Sequence, residues 1–457
     1  MVRFLFNLAT SSLPRRDRIF ATLVEIDQQF RNCRTAISAA QILDNAKPGL
    51  FALLQSRFEH PVARALTVKI LNLFMARFHL QARSVTLLSR PFGLVVDPSN
   101  LCQLACPGCV HSTRNEHFKV FDWPNGTLAE SRIAALLKIY GPSAIEGYLC
   151  NYGEPLLNLQ TPRLIRLMKT YLMRTALSTS LSVRKFDAAA YVESGLDFMN
   201  ISIDGATQPI YQIFRRNGNL DLVLHNLRNL VAAKRNLRKN TPVLSWNFLA
   251  FEHNAHEIPL ASRMARQLGV DEFRVATPFD VTWDDPEIRP AAVKAGLWRF
   301  SLLTRMAAAA NWNPFPDTLD HAAIAAAFDC PWSGQPETAP APSPGHACHW
   351  LYKNIVMDAA GRILPCCGAP RPDASLVFDK FEAGAIDPFN SPKYHEARGW
   401  FSGASPVSDT PPYCNQCDWD QTSVNIDAPQ IRAYFRAAGP SVFDSRSLNL
   451  LANWRQT

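Results

Sequence analysis

Apolar residues recur at helical spacing over 20–30 and 50–80, with interruptions at Pro48 and Pro61. From Phe92 the period changes. Short apolar runs at 93–97, 145–150, 176–179, 198–203, 243–251 and 272–276 alternate with helical stretches at 128–139, 162–173, 188–194, 220–234 and 257–268. Six strands separated by helices predict a parallel sheet, because a parallel neighbour is reached only through a crossover. The length suits an open barrel rather than a closed eight-unit one. The predicted fold class is therefore α/β: a partial (β/α)6 TIM-like barrel over 91–280, preceded by a helical segment over 1–90. Residues 281–345 form a Pro/Ala-rich connection, 346–425 a small cysteine-bearing region and 426–457 a helical tail. In such sheets the chemistry lies at the C-terminal ends of the strands.

Charge sharpens this division. Residues 1–90 hold thirteen Lys/Arg against five Asp/Glu, which is the whole net charge of +8, so the rest of the chain balances. A basic segment can meet anionic lipid, nucleic acid or an acidic partner, or can be a solvated helical face. Over 63–83, Leu66, Ile70, Leu73, Phe74 and Phe78 fall near one face among Arg64, Lys69, Arg77 and Arg83. That pattern fits either a helix lying on a membrane surface or one packed on its own domain. No nucleic-acid partner is expected. The chain has no apolar run of 18 residues, so no membrane-spanning helix is predicted. Residues 1–10 are apolar but short, and are not read as a signal peptide. A cytoplasmic location is expected, with peripheral membrane contact through 1–90 as the alternative.

Eleven cysteines in a chain of this size, without an export signal, suggest reduced thiols and metal or redox chemistry rather than disulfides. Cys33, Cys150, Cys330 and Cys367 are scattered or unmatched. Three others follow the first predicted strand: Asp97-Pro-Ser-Asn-Leu-Cys102-Gln-Leu-Ala-Cys106-Pro-Gly-Cys109. Thiolates are soft ligands that suit iron–sulfur clusters or zinc. Three of them on a four-iron cube leave one iron open for chemistry.

The C-x3-C-x2-C spacing in the first βα loop resembles the signature of the radical S-adenosylmethionine superfamily. The resemblance implies a [4Fe–4S] cluster on Cys102, Cys106 and Cys109, whose open iron is chelated by S-adenosylmethionine. Electron donation then cleaves the sulfonium bond and yields a 5′-deoxyadenosyl radical that abstracts hydrogen. Later segments agree in order. Asn151-Tyr-Gly153-Glu154-Pro155 after strand two resembles the GEP motif that meets the amino group of S-adenosylmethionine. Ser202 and Asp204, at the end of strand four, match positions that hold ribose hydroxyls. Arg215 looks like the arginine that clamps the carboxylate, with Arg216 adjacent. Asn247 on strand five is placed to touch the nucleoside. An electron carrier or sensor has no use for such a pocket, which separates an enzyme from a non-enzymatic cluster protein.

Near the C-terminus stand Cys348, then Gly361-Arg-Ile-Leu-Pro-Cys366, then Cys414-Asn-Gln-Cys417. This resembles the SPASM/twitch extension of some radical S-adenosylmethionine enzymes. The segment 357–365 reads as a hairpin carrying the glycine, and Asn390-Ser-Pro-Lys-Tyr as a helix start. Full SPASM domains continue with further cysteines, and after Cys417 this chain has none. The resemblance therefore implies the shortened form, with one auxiliary [4Fe–4S] cluster on Cys348, Cys366, Cys414 and Cys417. Cys367 or Cys330 are alternative ligands, and a structural zinc site is the other use of four thiols. Full cysteine ligation favours electron transfer, as in relatives that oxidise an alcohol by two electrons. A peptide or a lipid is the alternative substrate. A reductant such as flavodoxin or ferredoxin is implied.

Overall fold

The computed structural model describes residues 15–109, 111–112, 125–278, 285–300, 320–329, 348–366, 374–382, 387–402, 414, 427–438 and 442–452. In chain order the elements begin with α1 (Arg15–Arg31), α2 (Ala36–Gln55) and α3 (His60–Ala82). There follow β1 (Gly93–Val96), α4 (Glu130–Tyr140), β2 (Glu146–Tyr148), α5 (Thr161–Lys169), β3 (Arg174–Thr179), α6 (Ala188–Glu193) and β4 (Phe198–Ser202). Next come α7 (Gln208–Phe214), α8 (Leu220–Asn236), β5 (Val243–Leu249), α9 (Ile258–Leu268), β6 (Glu272–Ala276), β7 (Gly296–Arg299) and α10 (His321–Asp329). The last are α11 (Trp350–Lys353), β8 (Asn354–Met357), β9 (Arg362–Leu364), β10 (Asp379–Lys380), α12 (Pro392–Ser402), α13 (Asp427–Ala438) and α14 (Ser445–Ala452).

All six strands expected between residues 93 and 276 form, and β1 to β6 pair in sequence order, parallel throughout. The fold is thus α/β with a TIM-like open sheet. β1 is buried along its whole length, as expected of a strand covered on both faces. The sheet extends beyond the prediction at both ends. β7, within the Pro/Ala-rich connection, pairs antiparallel with β6. β8 pairs parallel with β1, Gly93 opposite Asn354, so the cysteine-bearing region begins as a strand of the barrel sheet itself. Without β8, the buried backbone of β1 would present an unpaired edge. A Cβ at position 93 would stand 2.0 Å from Asn354 Oδ1, so any larger residue there would have to displace the Asn354 side chain. The expected hairpin is β8–β9, turned by Gly361 at φ +88°.

A second core lies between α1, α2 and α3 and the C-terminal helices α13 and α14, including Leu23, Leu43, Phe74, Phe435 and Leu451. α3 runs through it and is buried from Val62 to Leu80 on every face. Burial of this extent, with Lys69 and Arg77 among the buried residues, leaves α3 no face for a bilayer, so it packs on its own domain, and the membrane-surface reading of that stretch is corrected. Arg77 is held inside by Asp27 at 2.5 Å and by the ring of Phe74. Pro61 opens α3 in its first turn, where its missing N–H costs nothing. Pro48, by contrast, was expected to end a helix and instead lies inside α2, where buried Leu43, Leu50 and Leu54 hold the helix on both sides of it. No helix among the described residues is long and apolar enough to cross a membrane.

Lys69 on α3 is fully buried and donates to the carbonyls of Gly141 and Ala144, which joins the helical layer to the barrel. Burial pulls its ammonium down to about 7. The folded state therefore sheds this proton where the unfolded chain still holds it. Lys69 contributes stability that rises with pH between about 7 and its ordinary value of 10.5, and is lost as pH falls. The urea midpoint of the wild type is expected to rise across that window relative to Lys69→Met, by up to about 1.4 kcal/mol per pH unit. Parallel profiles for the two proteins would refute a buried neutral Lys69.

Candidate active site

The Cys102–Cys109 loop leaves β1 at Asp97, whose side chain is fully buried. Asp97 Oδ1 accepts the backbone N–H groups of Asn151 at 2.6 Å, Tyr152 at 3.0 Å and Gly153 at 3.4 Å. Burial still pushes its carboxyl up to about 7, against those three bonds. This residue folds the turn after β2 onto the loop after β1, and sequence reasoning had taken it only as a strand end. The polar residue closing an apolar strand was its signal. The two segments also join by Glu154 N donating to Leu101 O at 2.7 Å. Gly153 lies so close that a Cβ would stand 1.6 Å from the Ser99 carbonyl oxygen.

Glu154 is buried, and its carboxylate is fully engaged. Oε1 accepts from Thr179 Oγ1 at 2.6 Å and Leu156 N at 3.2 Å, and Oε2 from the Ser180 N and Oγ at 2.9 and 2.7 Å. It ties the β2 turn to the end of β3. Pro155 starts the short turn that follows. Beside it, both side-chain amide atoms of Asn151 are buried without a hydrogen-bond partner among the described residues. Buried polar atoms without partners are costly and uncommon in folded proteins.

The other wall comes from β4 and β5. Asp204 is fully buried, and its carboxylate accepts from Arg215 Nε at 2.5 Å and Leu249 N at 2.7 Å. Asp204 therefore holds Arg215 in place. Arg215 Nη1 in turn points at Cys106 Sγ, 3.7 Å away. Burial works to lower the Arg215 pKa, but Asp204 and Cys106 outweigh it and raise it. Arg216 turns the other way and pairs with Asp285. Ser202 and Asn247 face each other across β4 and β5.

Cys106 is buried, and Cys102 and Cys109 pack into the same cluster with Leu104, Phe214 and Phe251. Burial pushes the thiols of Cys102 and Cys106 up; Glu154 adds to this at Cys102, while Arg215 opposes it at Cys106. A thiolate is costly here unless a cation or metal neutralises it. Among the described residues, no three His, Cys, Asp or Glu side chains meet as one metal ion requires. On a four-iron cube each thiolate takes its own iron. The donor set fits such a cluster: three thiols in one loop, a guanidinium on one of them, and an unpartnered amide alongside. A cleft of about 620 Å3 opens next to it, lined by Gln103, Leu159, Ser182, Arg184, Lys185 and Asn219 among others.

In the second cysteine group, Cys348 is buried, and Cys366 and Cys414 pack against the same barrel core. Cys417, Cys330 and Cys367 lie outside the described residues.

An open parallel sheet with a three-thiol loop at the C-terminal end of its first strand defines a class of enzyme. Residues 96–245 match the family model described as the Radical SAM superfamily. The match is to this segment of the chain, which carries the thiol loop and runs from the end of β1 into β5. A stretch of 182 residues, 39% of this chain, is 25% identical to a probable GTP 3′,8-cyclase of Methanococcus maripaludis, of which it covers 56%. The chain thus spans little more than half the length of the curated relatives it matches. Among solved structures, Streptococcus suis SuiB bound to S-adenosylmethionine is similar over 88% of this chain and 83% of that one, with 15% identity and a TM-score of 0.45. BtrN in complex with AdoMet and 2-DOIA is similar over 69% of this chain and 88% of that one, with 11% identity and a TM-score of 0.35. A likeness at these scores fixes no residue's role.

Gly153→Ala is expected to cost about 1–3 kcal/mol by forcing the two site segments apart. Denaturant unfolding of the cluster-free protein measures it, and an unchanged midpoint would mean that the close approach to Ser99 is not maintained.

Proposed function

We propose that this protein cleaves S-adenosylmethionine reductively at a [4Fe–4S] cluster held by Cys102, Cys106 and Cys109, and abstracts hydrogen from a substrate that enters by the cleft beside Gln103. The observation that carries this reading is the convergence of the thiol loop, Arg215 and the unpartnered Asn151 amide at the ends of β1, β2 and β4. When bound, the cluster supplies the electron that breaks the sulfonium bond, drawn from a donor such as flavodoxin or ferredoxin.

This chain's own residues then divide by task. The backbone around Gly153, Glu154 and Pro155, with Asn151, meets the amino group. Arg215 keeps its Nη2 open for the carboxylate while Asp204 holds its Nε side, and a guanidinium fixed in this way loses little freedom on binding. Ser202 and Asn247, adjacent in register and free of side-chain hydrogen bonds to described residues, are the groups available to the ribose. Glu154 and Asp204 are positioning residues, since their own carboxylates are taken up by the protein. Cys348, Cys366, Cys414 and Cys417 would hold one auxiliary [4Fe–4S] cluster, which would supply an acceptor for the second electron of a two-electron oxidation.

Anaerobically reconstituted protein given dithionite and S-adenosylmethionine is expected to release 5′-deoxyadenosine, and Cys106→Ala to release none. Asp204→Asn weakens the hold on Arg215 and should raise the KM for S-adenosylmethionine about tenfold or more, as losing a charged hydrogen-bond partner does. A fully iron-loaded protein that forms no 5′-deoxyadenosine would overturn the proposal. Deuterium carried from candidate compounds into 5′-deoxyadenosine would identify the substrate.

A further inference from the structure

The cleft beside Gln103 holds about 620 Å3, the size of a small-molecule site. It is built from the segments that follow β1, β2, β3 and β4, so it stands at the C-terminal end of the sheet. Gln103 joins it to the thiol loop. Its Nε2 donates to Ser180 Oγ at 3.1 Å and to Ser182 O at 2.9 Å, and its Oε1 lies 3.9 Å from Cys102 Sγ. An occupant of the cleft that touches Gln103 is one side chain away from a thiol of that loop.

Two kinds of surface line this space. The first is apolar: Leu157 and Leu222 are half-buried, and Leu159 is 66% exposed. The second is cationic: Arg184 and Lys185 are both exposed. Among the described residues neither cation has an ion-pair partner, and no Asp or Glu lines the cleft. The backbone that leads to the cations is fixed. Asn226 Nδ2 donates to Leu181 O at 3.0 Å and to Val183 O at 2.8 Å, and Asn219 N donates to Ser182 Oγ at 3.1 Å. Cations presented from a preformed wall attract an anion with little ordering cost. Exposed leucines beside them favour apolar surface.

We propose that the cleft takes an anionic amphiphile, a molecule with a phosphate or carboxylate carried on an apolar body. That this is the substrate of the reaction rests on the function proposed above. Arg184 and Lys185 receive the anion, the first by paired hydrogen bonds and the second as a point charge. Leu157, Leu159 and Leu222 receive the apolar body. These five side chains determine specificity, because they set the charge and the polarity of what can lie against Gln103.

The test uses the full chain, anaerobically reconstituted with iron and sulfide, and isothermal titration calorimetry. Octyl phosphate and octanoate are titrated below their micelle-forming concentrations, beside neutral octyl glucoside and inorganic phosphate. Both amphiphilic anions are expected to bind more tightly than either control, and the tighter of the two names the anion. Arg184→Gln combined with Lys185→Gln should weaken their binding about tenfold, as losing two exposed charge pairs does. Leu159→Ser should weaken octyl phosphate and leave inorganic phosphate unchanged. All these side chains are exposed, so the variants should melt as the wild type does. Anion binding that is equal in the wild type and the double variant overturns the proposal, and so does octyl phosphate held no more tightly than octyl glucoside or inorganic phosphate. Release of 5′-deoxyadenosine is measured separately. If none forms while the binding pattern holds, the reaction fails and the cleft's ligand class stands.

Discussion

The buried pair Asp204–Arg215 is the constraint on which the site's arrangement depends. A guanidinium placed against a thiol loop with no carboxylate behind it would be repelled by its own desolvation cost. With Asp204 at 2.5 Å, it stays charged and faces Cys106. Asp204 in turn is anchored by the Leu249 N–H of β5, and its backbone carbonyl by Asn254 Nδ2. The ends of β4 and β5 are thereby locked under the cluster loop. Opposite, Asp97 and Glu154 play the corresponding part, each using a buried carboxylate to gather backbone N–H groups from a neighbouring loop. Three buried carboxylates thus decide how the loops at the ends of β1, β2 and β4 stand.

The same economy explains how the two cysteine groups come to share one sheet. β8 pairs with β1, and Ala359 N in the turn of the β8–β9 hairpin donates to Asn100 Oδ1 at 3.0 Å, two residues before Cys102. The thiol loop is thus braced from one side by the GEP-like turn and from the other by the C-terminal hairpin. Arg398 extends the brace by bonding Val85, Leu351 and Phe389, which joins the end of the helical layer to the cysteine-bearing region. A shared sheet holds the segments that carry the two cysteine groups in one rigid arrangement.

The N-terminal helices carry the chain's excess positive charge, and their fate shows how poorly charge alone predicts location. Lys69 and Arg77 looked like the polar face of a surface helix. They are interior residues, one bonded to carbonyls of the barrel and the other paired with Asp27. A helix of mixed apolar and basic residues reads alike in both settings, because long basic side chains reach a surface or a buried partner equally well.

Local chemistry was legible in the sequence. The six strands of the barrel, the three-thiol spacing, the glycine turn at Gly361 and the order of the ligand-facing motifs all depend on side-chain periodicity or on contacts within a few residues. The pairing of β8 with β1, the covering of α3 on every face, the survival of α2 across Pro48 and the partners of Asp204, Glu154 and Arg398 did not show there. Each depends on segments far apart in the chain meeting in space. Buried charge is the clearest case: a carboxylate acts on a ligand or on the fold according to which donors reach it, and only tertiary structure decides which donors those are.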